Sequence, residues 1–186
     1  MQFSRLEKGK IEPSPPNRRR DRAPLNPPDR RAMRLALYEP DIPQNTGTLL
    51  RMAACLGVPV DVIEPCGFAL DDRHLRRALM DYLDHVEMRR HTSWQAFLEA
   101  HVEGRKRLIL LTSKAETPYS AFRFHPGDTL LVGRESAGAP PEVHAAADAR
   151  VRVPMAAGLR SLNVAVAAAM VLGQALCQTD GFPEAP

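Results

Sequence analysis

Apolar residues fall in short closed runs along most of this chain. Arg34-Leu35-Ala36-Leu37-Tyr38 closes at Glu39-Pro40, and Val58 to Ile63 closes before Pro65. Arg107 to Thr112 reads RLILLT, and Thr129 to Val132 ends at Gly133. Brief runs rich in Leu, Val and Ile, punctuated by Gly or Pro, are the pattern of strands covered on both faces. A further strand is expected at Val151 to Val153, ending at Pro154, and a short one around Val86. Between the runs the apolar spacing lengthens to three and four. Leu49, Leu50, Met52, Ala53 and Leu56 predict a helix capped by Asn45 and closed by Gly57. Asp71 or Asp72 caps the next, through Leu75, Ala78 and Leu79. Ser93 to Ala100 sets Trp94, Phe97 and Leu98 on one side, and Pro140 or Pro141 opens a short helix toward Ala147. Leu162 to Leu176 is a long helix, so uniformly apolar that burial on several sides is expected.

Strands alternating with helices predict an α/β fold: a parallel sheet with helices on both faces. Ligands of such sheets bind outside the carboxyl ends of the strands, so the loops after strands are where chemistry is sought. The pattern begins at Met33 and fits one domain over residues 33–186.

Composition changes the picture mainly at the start. Residues 1–32 hold nine bases, four acids and six of the 17 prolines. Their net charge is +5, which leaves −2 for the remainder of a chain whose total is +3. This basic, Pro-rich extension is expected to be disordered, and the high pI belongs to it rather than to the body. The body is apolar enough for a core, and no run is long enough for a membrane span. The first residues lack the apolar stretch of a secretory signal. Cys55, Cys66 and Cys177 are odd in number and far apart, which points to the reducing cytoplasm rather than a disulfide scaffold. The six histidines form no cluster and no metal site is expected.

Several familiar motifs are absent. There is no GxGxxG, GxSxG or HExxH. Gly133 to Gly138 (GRESAG) has the glycine spacing of a P-loop, but Ala139-Pro140 stands where Lys-Ser/Thr would follow. Three loops remain unusual: YEPDIPQNTG (Tyr38 to Gly47) with Arg51 beyond it; GRESAG directly after a strand; and Val153-Pro154-Met155 followed by Arg160-Ser161-Leu162-Asn163 at the head of the last helix. The glycines of the second allow close backbone approach, and Ser161 or a neighbour is positioned to cap the final helix.

These residues resemble the three motifs of the SPOUT superfamily, the knotted RNA methyltransferases: NTGxxxR, GRESAG, and VPM with SLNVAVAAA. YEPDIPQNTG together with IEPCGFALDDRHLRRALMDY (Ile63 to Tyr82) is similar to one branch, the tRNA (cytidine/uridine-34)-2′-O-methyltransferases of the wobble ribose. The resemblance covers about residues 33–183. It implies a C-terminal trefoil knot, S-adenosyl-L-methionine held in the knot loops, a homodimer and a tRNA anticodon stem-loop as partner. It places cofactor contacts on Leu111, Gly133, Val153, Met155, Ser161 and Leu162. Taken alone, Leu111, Val153 and Leu162 read as ordinary core. It places the chemistry on Arg51, Glu135, Asn45, Ser161 and Asn163. A guanidinium stays protonated, so Arg51 suits stabilisation of a developing alkoxide better than proton removal. Glu135 is expected to orient Arg51 or Asn45, with Ser161 and Asn163 holding loop geometry or the ribose. Glu135-Ser136-Ala137-Gly138 stands where many relatives carry Glu-Thr-Arg-Gly, and Arg134 is the nearest replacement for the missing arginine.

A body at −2 must meet RNA through local clusters, for which Arg73/Arg76/Arg77, Arg89-Arg90-His91 and Arg105-Lys106-Arg107 are candidates. The apolar last helix fits a dimer interface or a core position equally. Two rival readings are a related enzyme acting on ribosomal RNA and a non-catalytic RNA-binding module.

Overall fold

The computed structural model describes residues 33–69, 82, 85–104 and 106–184. Six strands form one parallel sheet: β1 (Arg34–Tyr38), β2 (Val60–Ile63), β3 (Met88–His91), β4 (Leu108–Leu111), β5 (Thr129–Val132) and β6 (Ala149–Val151). Their spatial order is β3-β2-β1-β5-β4-β6. The chain runs outward from β1 through β2 to the edge strand β3, crosses to β4, steps inward to β5 and ends at the opposite edge as β6; Leu35 stands beside Val60 on one side and Leu130 on the other.

Side chains alternate across the sheet as strand geometry demands. Leu35, Leu37, Val60, Val62, Ile109, Leu130 and Val132 face one side, where they are covered by α1 (Pro43–Leu56) and α4 (Val164–Gln178). Ala36, Tyr38, Ile63, Leu108, Leu110 and Leu131 face the other, under α2 (Trp94–Glu103) and α3 (Pro141–Ala146). The expected parallel sheet with helices on both faces is the architecture found. The helix expected after Asp71 or Asp72 lies outside the described residues, as do Arg73, Arg76, Arg77 and Arg105.

Four local expectations are corrected. Helix α1 starts at Pro43, not after Asn45; its N-cap is Ile42, and proline's fixed φ suits the first helical position. Val86 precedes rather than occupies a strand, because the edge strand is Met88–His91. The last strand is Ala149–Val151, not Val151–Val153. At Arg152 the N–H and C=O leave β4 and bond Thr117 and Tyr119 instead, each at 2.9 Å. Helix α4 begins at Val164 because Asn163, not Ser161, caps it: Asn163 Oδ1 accepts from the N–H groups of Ala165 (2.9 Å) and Val166 (3.2 Å).

Helix α4 is also not buried all round. Ala165, Ala168, Val171, Leu172, Ala175 and Leu176 pack inward, while Val166 and Met170 keep 52% and 41% of their surface. The apolar composition therefore serves two faces, one of them open in the single chain.

A buried ionic group ties β1, β2 and β3 together. Arg34 Nε and Nη2 donate to Asp61 Oδ2 and Oδ1 at 2.8 and 3.2 Å, and His91 Nε2 lies 2.9 Å from Asp61 Oδ1. Burial pushes the Asp61 carboxyl up, but the Arg34 and His91 contacts outweigh it and hold it below its ordinary value.

Candidate functional site

The loops after β1, β4, β5 and β6 all open at the carboxyl edge of the sheet. Residues from the loops after β4, β5 and β6 and from the first turns of α1 and α4 surround a cavity of about 500 Å³, within the usual range of small-molecule sites. Leu111, Thr112, Ser113 and Lys114 come from the end of β4, and Gly133, Arg134, Glu135 and Ala137 to Ala139 from the turn after β5. Val153, Met155, Ser161, Leu162, Asn163, Val164 and Ala167 come from the loop after β6 and the head of α4. Asn45 and His144 complete the wall.

The turn after β5 is tight. Arg134 N–H donates to Gly138 O at 3.1 Å and Gly138 N–H returns the bond to Arg134 O at 2.9 Å. A Cβ on Gly133 would stand 2.6 Å from the Gly138 carbonyl carbon and 2.7 Å from Ala139 N. Gly133 is therefore required by close approach of backbone to backbone. The Arg134 guanidinium pairs with Glu39 of the β1 loop, and the residue stands in the cavity wall.

Two side-chain bridges join the first loop to the other two. Asn163 Nδ2 donates to Asn45 Oδ1 at 2.9 Å, linking the first turn of α1 to the cap of α4 across 118 residues. Glu135 meets Asp41: the Asp41 N–H donates to Glu135 Oε2 at 3.2 Å, and the Glu135 N–H donates to Asp41 Oδ1 at 3.1 Å. Burial, with the Asp41 carboxyl beside it, pushes Glu135 above its ordinary range. At Asp41 burial acts in the same sense, yet hydrogen bonds from Glu135 and Ser136 prevail and bring it down to about 2. Burial, with Lys114 and Arg150 nearby, holds the His144 imidazole below its usual value.

Leu111, Gly133, Val153, Met155, Ser161 and Leu162, together with Glu135, Asn45 and Asn163, are thus brought to one cavity. Arg51 is not among its walls. Its side chain is exposed, with the guanidinium carbon 4.6 Å from the Tyr82 ring centroid and Nη2 3.4 Å from the Tyr82 hydroxyl. The expected partner of Glu135 is also corrected, since Asp41 rather than Arg51 or Asn45 takes that carboxylate. Thr112, Ser113, Lys114, His144 and Ala167 went unread in the sequence. The first three directly follow a strand, where the carboxyl-end rule points; His144 lies in a short helix that gives no such signal.

The basic clusters are partly engaged within the fold. Arg89 pairs with Glu87 (3.2 Å), Arg90 with Glu64 (2.7 Å) and Arg107 with Asp128 (2.8 Å). Among the described residues no helix is long and apolar enough to cross a membrane.

Fold and site together define an α/β protein that receives a small molecule at the switch point of a parallel sheet. The chain belongs to the SpoU rRNA Methylase family, whose model matches residues 32–173. A tRNA (cytidine(34)-2′-O)-methyltransferase of Beijerinckia indica subsp. indica is 62% identical over 144 residues, covering 77% of this chain and 90% of that protein. A solved structure described as giving structural insights into the 2-OH methylation of C/U34 on tRNA superposes with a TM-score of 0.75 at 42% identity, covering 81% of this chain and 97% of that one. The SpoU methyltransferase AviRb from Streptomyces viridochromogenes, in complex with the cofactor AdoMet, gives a TM-score of 0.75 at 25% identity, covering 80% and 60%.

Proposed function

We propose that this protein transfers a methyl group from S-adenosyl-L-methionine to the 2′-oxygen of the wobble nucleotide of tRNA, acting in the cytoplasm as a homodimer. The observation that carries the reading is the convergence of the loops after β4, β5 and β6 and the first turns of α1 and α4 on one cavity of mixed character. Leu111, Val153, Met155, Leu162 and Ala167 offer apolar walls suited to an adenine. Thr112 and Ser113 offer hydrogen bonds, and Glu135 offers negative charge toward a cation. The bound cofactor supplies the electrophilic methyl and no metal is needed.

The chain's own task is to orient a ribose hydroxyl and to stabilise charge as its proton leaves. Asn45 and Asn163, locked to each other, hold the rim against the ribose. Arg51 lies six residues beyond Asn45 on α1, about 9 Å along the helix axis. From there its exposed guanidinium is offered to the developing alkoxide or its flanking phosphate.

The dimer draws on the open face of α4. Val166 and Met170 share the exposed face of the helix, with exposed Leu162 in the loop just before it, an apolar patch of a kind monomers rarely leave uncovered. The return of the chain from edge strand β6 to a helix packed behind the sheet supports a trefoil knot. Residues 1–32 are read as an extension separate from the methyltransferase domain.

Mass spectrometry of nucleosides from tRNA digests, with and without the enzyme and S-adenosyl-L-methionine, tests the reading. A ribose-methylated nucleoside at position 34 is expected. Methylation of ribosomal RNA instead would support the rRNA alternative, and absence of cofactor binding by calorimetry would support the non-catalytic module.

A further inference from the structure

The loop between β1 and α1 holds the turn after β5 through two acids, Glu39 on Arg134 and Asp41 on Glu135 and Ser136, and Asp41 has so far been given no task. Asp41 is backed by the IEPCGF segment. A Cβ on Gly67 would lie 2.9 Å from both Cα and Cβ of Asp41, and Gly67 N–H donates to Pro40 O at 2.9 Å. From that support the Asp41 carboxylate reaches across to the turn after β5. Oδ1 accepts the Glu135 N–H at 3.1 Å; Oδ2 accepts the Ser136 N–H at 3.3 Å and the Ser136 hydroxyl. Two successive amides aimed at one carboxylate make an anion nest, and here the chain supplies its own anion. In return, the Asp41 N–H grips Glu135 Oε2 at 3.2 Å. Glu135 is the one carboxylate in the described cavity wall, so the reciprocal contact fixes the cavity's negative charge.

We propose that Asp41 is a positioning residue for methyl transfer: it fills the amide nest of residues 135 and 136 and thereby sets the direction of the Glu135 carboxylate, acting only through Glu135. This rests on the methyltransferase reading above.

The test compares wild type, Asp41→Asn, Glu135→Gln and the double variant. Asp41→Asn keeps the shape but replaces one acceptor oxygen with an NH₂ group. Its kcat is expected to fall about tenfold, as for a displaced catalytic shell, while KM for S-adenosyl-L-methionine stays within about twofold. The double variant should be no slower than Glu135→Gln alone. A multiplicative double variant, a wild-type kcat in Asp41→Asn, or an effect confined to KM or melting temperature would overturn the proposal. Ser136→Ala removes a single donor and should lower kcat in the same direction by a smaller factor. If Asp41→Asn does not fold, Ser136→Ala enters the same cycle with Glu135→Gln. Amide hydrogen exchange gives a readout independent of turnover. The Glu135 and Ser136 amides should exchange faster in Asp41→Asn, and unchanged exchange overturns the proposal. Wild-type enzyme inactive on tRNA would instead sink the methyltransferase reading.

Discussion

At the scale of single residues, the guanidinium of Arg51 and the carboxylate of Asp61 illustrate two different uses of charge. Arg51 is exposed, stacked on Tyr82 and free of the cavity wall. Such a position has little to do with stability and suits a group that meets the substrate. Arg51→Lys keeps the charge but loses the planar fork, and kcat should fall about a hundredfold, the usual loss for one transition-state donor, with an unchanged melting temperature. Single-turnover methylation assays and calorimetric melting check both halves. Asp61 is the opposite case, a buried acid held by Arg34 and His91. Because its folded pKa is depressed, its stabilisation is present above the ordinary carboxylate value near 3.8 and is lost as pH falls below it. Wild-type melting temperature should therefore decline from about pH 4 downward. Asp61→Asn should flatten that decline and cost about 3 kcal/mol at neutral pH, by leaving the Arg34 charge without its counter-ion.

At the scale of elements, legibility followed apolar content. Thr129–Val132 and the other central strands were readable because burial on both faces makes them nearly pure apolar runs. The edge strand Met88–His91 was not, since an edge tolerates MRRH, a sequence without strand pattern. Helix bodies were visible through spacing, but their first residues were not: Pro43 and Asn163 settle the starts of α1 and α4 through φ and side-chain capping. Of the site, the three motif loops could be recognised, whereas the Asp41–Glu135 contact spans 94 residues and leaves no local trace. The turn after β5 offers the sharpest elemental test. Gly133→Ala would force a Cβ into the Gly138 carbonyl and open the turn. Affinity for S-adenosyl-L-methionine, measured by isothermal titration, should drop at least about tenfold, equivalent to about 1.4 kcal/mol.

At the scale of the whole molecule, the question is what covers the outer face of α4. A patch built from Leu162, Val166 and Met170 begins within the cavity wall and runs outward along the helix, so the surface proposed for self-association is continuous with the site. Placing a charge in its centre should separate the subunits while sparing the inward face. Met170→Glu is expected to sediment as a monomer at concentrations where wild type sediments as a dimer. Its melting temperature should lose its dependence on protein concentration. A Met170→Glu protein that still sediments as a dimer would move the interface elsewhere.

The amide-to-amide bond between Asn45 and Asn163 carries an implication for synthesis. Every strand has been made by Val151, yet the pocket takes walls from Val153 to Ala167. A nascent chain still tethered near that point can own its entire sheet and nevertheless be unable to hold a methyl donor. The cavity is complete only once the head of the last helix has emerged and Asn163 has reached Asn45.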